Sequence, residues 1–485
     1  MKKTIYIIIS LVLLNYTLTA QQNNSMYFME YLPQSRWLNP ANEQNCKVHV
    51  GGLIIPLVGQ SPFPVQFNYA NNGFAYNDIL QYNKTVDSLT LPGLKYYDWD
   101  QLLDGLQKVN YITNELHVNL LTIGFQYKKW SFGIDINDKT NSRFSFNKDL
   151  VILAKEGNGQ SLLNKTAHLG DLGMTATSYT ELALTASRDV INKKLRVGAA
   201  VKILFGRMNV WTERSVLDLY TNDNDNYPIT VDADMLVHMS QPYYTVDKMY
   251  YDNDADSIVM ESHQNNVEPS KAIFNPKNFG LGLDLGAVYT LNEKIRISAS
   301  LTDLAYIKWT VNPQTFAVKG TYFYDGYDFQ PSLTEDKELI AQNNDSLKGS
   351  VINVFYPSLQ SESYTSFLTP KFYLGGNYMF NKKIKAAALL RVAFFQHDYH
   401  PSLTLSGNFK ITKWLETVAS YSMINNTYTN IGAGFAIKGK WFQTYMITDN
   451  IFGFIWPKST RNINLRMGMN LIFGCKKKED SLSKQ

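Results

Sequence analysis

The chain has 485 residues, with 31 Tyr, 26 Phe, 18% charged residues and a formal net charge of +4. That length admits two or three soluble domains, but the charge is low for a water-exposed surface and too near neutral to imply nucleic acid as a partner. Beyond the N-terminus no apolar run reaches the roughly 20 residues that a membrane-spanning helix needs.

The first element is an address. Lys2 and Lys3 precede an apolar run, Ile5 to Leu14, and Leu18-Thr19-Ala20 offers a small residue at a cut point. Basic residues, apolar run and small residue in that order read as a secretory signal peptide over 1–20. No cysteine stands directly after the run to carry a lipid anchor. Export leaves a soluble periplasmic or secreted protein, or a membrane β-barrel. Residues 21–45 lack strand alternation and are expected at the periplasmic side or inside a lumen, as a plug.

From there to residue 474 the dominant signal is alternation with period two, in which successive side chains point to opposite faces of a strand. Leu121, Ile123, Phe125 and Tyr127 share one face. Phe132, Ile134 and Ile136 oppose Gly133, Asp135 and Asn137, and Val197, Ala199, Val201, Ile203 and Phe205 oppose Arg196, Gly198 and Lys202. Leu281, Leu283, Leu285, Ala287 and Tyr289 alternate with Gly282, Asp284, Gly286 and Thr290; Ile295, Ile297, Ala299 and Leu301 alternate with Arg296, Ser298, Ser300 and Thr302. The pattern continues through Leu390 and Val392 against Lys385 and Arg391, and ends in Leu465, Met467 and Phe473 against Arg466 and Gly468. A soluble sandwich would carry many Lys and Glu on its polar face. Here that face is mostly Gly, Ser, Thr and Asn, which suits a crowded lumen with the oily face turned to lipid. Closure removes the unpaired edges that lipid cannot satisfy.

Every second connection is short, mostly basic: Lys128-Lys129, Asn192-Lys193-Lys194, Asn292-Glu293-Lys294, Asn381-Lys382-Lys383, Ile411-Thr412-Lys413 and Lys438-Gly439-Lys440. The others are mostly long, near 74–115, 148–176, 218–274, 325–368 and 450–462, with short ones near His400 and Asn425. Short turns on one side and long loops on the other predict periplasmic turns and external loops in an outer membrane. Trp130, Trp414 and Trp441 each follow a basic turn, where an aromatic girdle belongs. About 15 segments read as strands; parity and the weakness of the segment near 46–57, broken by Gly51-Gly52 and Pro56, give an all-β, closed antiparallel transmembrane barrel over 46–474 with 14 strands, or 16 as the alternative. Residues 475–485 form a charged periplasmic tail. Cys46 and Cys475 match no metal or disulfide spacing; Cys475 reads as an incidental thiol, with a bond to Cys46 left open.

Several strings resemble a family of Bacteroidota outer-membrane proteins of unknown function. They are Tyr31-Leu32-Pro33-Gln34-Ser35 with the plug motif Leu38-Asn39-Pro40-Ala41; Asn110-Tyr111 through Phe125; Leu301 through Trp309; and Asn462 through Gly474. That family is similar in architecture to the long-chain fatty acid transporter barrels and to the barrel subunits of the type IX secretion system. The resemblance implies 14 strands and an N-terminal segment folded into the lumen; it carries no ligand residues with it.

Chemistry-bearing motifs are few. No HExxH, phosphate-binding Gly-rich loop or GxSxG elbow occurs, so no enzyme and no cofactor is expected. His397 and His400 lack further ligands for a metal; the Asp-rich stretches 222–226 and 252–256 are similar to calcium loops, but the second has Ser257 and His263 where Gly and Glu belong, which favours solvated external loops. The Tyr-rich stretch from Tyr220 to Tyr251 fits either contacts with glycans or proteins or its own packing. Asp135, Glu181, Arg196, Lys202, Asp284, Arg296, Lys385, Arg391 and Arg466 all point inward if the alternation holds. Both signs are present, which favours a wall salt-bridged to a plug over a route for an anionic solute. The expected partners are outer-membrane lipid and either a small hydrophobic or amphipathic compound, carried by a transporter, or a secretion or surface protein, docked on a barrel that transports nothing.

Overall fold

The computed structural model describes residues 24–475 apart from 56–62, 192–193, 225, 253–256, 267, 269–273, 326–350, 353, 396–397 and 425–426. The signal segment 1–20, the tail beyond Cys475, His397 and parts of both Asp-rich stretches lie outside the described residues.

The strands are β1 (Cys46–Gly51), β2 (Val65–Asn71), β3 (Val109–Tyr127), β4 (Trp130–Asn147), β5 (Gly173–Ile191), β6 (Leu195–Thr221), β7 (Ile229–Ser240), β8 (Phe279–Thr290), β9 (Ile295–Trp309) and β10 (Pro313–Tyr324). After them come β11 (Lys371–Met379), β12 (Ile384–Phe395), β13 (Asp398–Lys410), β14 (Leu415–Ile424), β15 (Thr427–Lys438), β16 (Phe442–Thr448) and β17 (Asn462–Cys475). Each pairs antiparallel with its neighbours, and β17 returns to β1 and β2, so the sheet closes as a barrel of 14 strands. The count holds because β1 and β2 share one position. Both lie between β17 and β3, β1 opposite Asn470–Cys475 and β2 opposite Asn462–Met467. The weak segment near 46–57 therefore does enter the wall, as half of an interrupted strand. β7 and β10 stand outside the count: they extend the sheet beside the far half of β6.

Alternation sorts the two faces. Leu285, Ile297 and Leu390 are exposed on the outside, while Asp284, Ser298 and Arg391 beside them are buried inside. Trp130, Trp414 and Trp441 are exposed directly after the short turns. The turns explain themselves locally. Asn292 Oδ1 accepts the Lys294 and Ile295 amides at 2.9 and 2.8 Å, and Asn381 Oδ1 accepts those of Lys383 and Ile384 at 2.8 and 2.9 Å. An Asn side chain that mimics the turn carbonyl fixes a tight reversal.

Three expectations need correcting. The connection placed at 74–115 ends earlier, because β3 begins at Val109 and carries Glu115 in the wall. The connection placed at 218–274 contains β7 and a further hairpin, Tyr244–Asp252 with Ser257–Gln264. Period-two patterns fade where strands rise past the lipid and both faces meet water, so these stretches looked like loop. Finally, Cys46 and Cys475 form a disulfide and face one another across the β1–β17 seam. Their separation of 429 positions along the chain hid what barrel closure brings together.

The disulfide closes a ring far larger than the 100-residue loop for which chain entropy gives about 4.7 kcal/mol. Cys46→Ser should therefore lower the heat or urea midpoint of the assembled barrel, and the boiled, non-reduced chain should lose its faster mobility relative to the reduced one. Identical midpoints for the variant and the oxidised parent would show that the seam is held without it.

Candidate functional site: the lumen

The N-terminal stretch starts with two short 3-10 turns, Asn24–Met26 and Pro33–Trp37. Met26, Tyr27, Phe28, Met29, Leu32 and Leu38 pack against Tyr373, Leu389, Val418, Tyr445 and Ile447, which come from four different wall strands. Polar contacts reach the remaining arc. Asn24 and Ser25 amides donate to Asp449 at 2.9 and 3.0 Å. Gln34 and Asn470 exchange two hydrogen bonds at 2.7 and 3.1 Å. The Ser300 hydroxyl donates to the Leu38 carbonyl at 2.6 Å. A segment that touches strands all the way round a closed sheet lies inside it.

The motif Leu38-Asn39-Pro40-Ala41 is buried. Asn39 folds the segment on itself: its Oδ1 accepts the Ala41 amide at 2.9 Å and its Nδ2 donates to the Tyr27 hydroxyl at 3.0 Å. The wall makes room with glycine. A Cβ at Gly286 would sit 2.1 Å from Asn39 Oδ1, and one at Gly198 would sit 2.4 Å from the Pro40 carbonyl oxygen. The glycine-rich inner face is thus shaped to this segment.

The nine inward charges divide into three groups. Asp135, Arg296 and Lys385 hold the inner segment. Asp135 takes Arg36 through two hydrogen bonds of 2.7 and 3.2 Å, and Arg36 also reaches His49 at 2.7 Å and Thr122 at 2.8 Å. Arg296 and Lys385 meet Glu30 at 3.1 and 3.4 Å, and Lys385 donates to the Phe28 carbonyl at 2.6 Å. Glu181, Lys202, Asp284 and Arg196 pair within the wall. Lys202 Nζ lies 2.6 Å from Asp284, 2.8 Å from Asp303 and 3.5 Å from Glu181, while Lys139 holds Glu181 at 2.8 Å. Arg196 takes Asp189 at 3.1 Å. Arg391 and Arg466, both buried, form the third group: neither has a carboxylate within 4 Å among the described residues. They rest instead on aromatic rings, Arg466 4.6 Å from the Trp37 centroid and Arg391 5.8 Å from that of Tyr373.

Sequence reading missed Arg36, Glu30, Glu115, Lys139, Asp303 and Lys371. Asp303 shows why. Simple alternation from Ile297 places residue 303 on the lipid side, but its φ is +61° and Thr302 and Asp303 both turn inward, after which Leu304 and Tyr306 face out. A bulge of this kind re-aims one side chain without leaving a mark in the hydrophobic pattern. Asp303 then bridges Lys202 and Lys371, the latter at 3.0 Å.

Between the inner segment and the long-loop end remains a polar cavity of about 80 Å³, bounded by Trp37, Glu115, His117, Lys371, Arg391 and Arg466 among others. Elsewhere, His400 Nε2 sits 2.7 Å from Arg143, and among the described residues no three His, Cys, Asp or Glu side chains could share a metal ion.

No curated protein matches the chain. Solved structures similar to it include the toluene transporter TbuX of Ralstonia pickettii, at 9% identity and a TM-score of 0.41, covering 91% of this chain and 94% of that one. A FadL homologue of Pseudomonas aeruginosa is similar at 11% identity and a TM-score of 0.39, over 95% and 100%. The toluene transporter TodX of Pseudomonas putida is similar at 9% and 0.35, over 94% and 98%. A family described only as one of unknown function, DUF5723, matches residues 40–449, and the chain belongs to it.

Proposed function

We propose that this protein is an outer-membrane channel for a small solute, held shut by residues 24–45 acting as a plug. The observation that carries the reading is how the lumen is filled. Wall side chains alone fill a barrel of about eight strands, not one of 14. Here the inner face is mostly Gly, Ser, Thr and Asn, and the volume is taken by a separate segment held by one apolar cluster together with hydrogen bonds and a few ion pairs. Because residues 24–45 contribute no strand to the sheet, they can leave the lumen without breaking the strand pairing of the wall.

A hydrophobic or amphipathic solute, as the resemblance implies, is favoured by the interrupted first strand. Where β1 gives way to β2, a crevice lined by Pro64, Val65 and Met467 adjoins the lumenal cavity, with Trp37, Gln66, His117 and Arg466 on both. The alternative, a barrel that docks a secretion or surface protein, is favoured by the sheet extension of β6, β7 and β10 beyond the barrel proper.

The test is conductance in planar bilayers. The parent should be nearly silent, and a variant lacking residues 24–43 should conduct steadily. If that variant shows the heat-modifiable gel mobility of a folded barrel and still passes no current, the channel reading ends and docking takes its place.

A further inference from the structure

We infer that the lumenal cavity is a binding site for a small hydrophilic oxyanion, a phosphate or a short dicarboxylate, with Arg391 and Arg466 as its principal ligands. The inference rests on the geometry of the closed lumen, whether or not the barrel conducts.

Charge balance is the first reason. The cavity lining itself carries two carboxylates, Glu115 and Asp303, against four cations, Lys139, Lys371, Arg391 and Arg466. Lys371 meets Glu115 and Asp303 at 3.8 and 3.0 Å, while behind the lining Lys202 meets Asp284 and Asp303, and Lys139 meets Glu181. Asp449, within the electrostatic reach of Arg391, spends its two oxygens on the Asn24 and Ser25 amides. The two arginines are the cations of the lining that no carboxylate approaches within 4 Å among the described residues. Keeping two unmatched guanidinium groups away from water is costly unless something else meets them.

Hydrogen-bond balance is the second and is independent of charge. Among the described residues, three side-chain nitrogens bordering this cavity are buried without a protein partner: Trp37 Nε1, His117 Nε2 and Arg391 Nη1. Trp and Arg nitrogens can only donate, and a His ring nitrogen donates in one tautomer. No carboxylate oxygen bordering the cavity is in that condition. Two nitrogens that can only donate, Trp37 Nε1 and Arg391 Nη1, call for an acceptor.

Preorganisation is the third. Arg391 Nε reaches the Tyr373 hydroxyl at 3.4 Å, and Arg466 lies over Trp37. Arg466 also hydrogen-bonds Tyr445, and Arg391 keeps Nη1 without a partner among the described residues, so guanidinium N–H is held in place for the planar or tetrahedral oxygens that it matches. Size then selects. About 80 Å³ is room for a few water-sized groups, against the 300–1,000 Å³ of a drug-sized pocket. An acyl chain does not fit, and a compact anion does. Because Trp37 belongs to the inner segment, the anion would touch wall and segment together.

The test is equilibrium binding to the full-length protein purified in detergent. Radiolabelled orthophosphate and succinate are the probes, in separate arms. At least one should bind saturably, one per chain, in the millimolar range or tighter. Arg391→Gln and Arg466→Gln should each weaken it at least about tenfold. Arg196→Gln, whose guanidinium sits on Asp189 outside the cavity, should leave it unchanged. Trp37→Phe, which keeps the ring and removes one donor, should weaken binding and guards against an arginine variant that fails to fold. Purified lipid A should not compete, since its phosphates cannot enter a walled cavity; competition by lipid A would place the site on the surface and overturn the assignment. So would the absence of saturable binding of both probes to folded parent, or equal binding by parent and all three cavity variants.

Discussion

Lys202→Met should nearly abolish the assembled barrel. The ammonium of Lys202 lies within 3.5 Å of Asp284, Asp303 and Glu181, and all four side chains are buried or nearly so. Methionine fills the volume of the lysine stem but leaves Asp284 without its cation. It also leaves Asp303 to Lys371 alone and Glu181 to Lys139 alone. Breaking a buried ion cluster by removing one partner costs about 3–5 kcal/mol, because the remaining charges keep their desolvation penalty and lose its compensation. That is a large share of the 5–15 kcal/mol by which a typical protein is stable. The measurement is the heat-modifiable fraction in isolated membranes, with the urea midpoint of whatever refolds. Adding Asp284→Asn should restore part of the loss, since the most exclusive partner of Lys202 then carries no charge. A single variant with the midpoint of the parent would mean that water reaches the cluster and screens it.

Arginine on the outer face should be nearly as damaging, for the opposite reason. Leu285 and Ile297 stand mid-strand on β8 and β9, exposed at 43% and 45% on the apolar side. Arginine at the midplane of a barrel's lipid face costs about 2–4 kcal/mol, falling toward the interfaces. Leu285→Arg and Ile297→Arg should each reduce assembly. On the inner face the outcome depends on what fills the lumen. Ser298 is buried, and its neighbour Ser300 contacts both the Tyr27 hydroxyl and the Leu38 carbonyl of the inner segment. Ser298→Arg should therefore also assemble poorly, through collision rather than desolvation. Removing residues 24–43 separates the two causes. The deletion should rescue Ser298→Arg, whose side chain then reaches lumenal water, and should leave Ile297→Arg as poor as before. Rescue of Ile297→Arg with Ser298→Arg unchanged would exchange inside and outside.

Much of the wall was legible because a strand writes its two faces into adjacent residues. Whether Leu285 faces out and Asp284 in depends only on local period and on which solvent each face meets. The tight turns were equally local: Asn292 and Asn381 make their reversals within three residues. The strand count survived for a reason that the pattern does not contain, since β1 and β2 complete one position only when β17 and β3 are there to flank them. What a charge is paired with was beyond local reading. Arg36 finds Asp135, and Lys202 finds Asp303, across 99 and 101 positions of chain, and such partners exist only once the sheet has closed. Asp303 was hidden further by a bulge, which reverses alternation at a backbone angle that hydrophobicity does not record. The disulfide is the extreme case. Cys46 and Cys475 are as far apart in sequence as the barrel permits, and they meet because the first and last strands of a closed sheet must be neighbours.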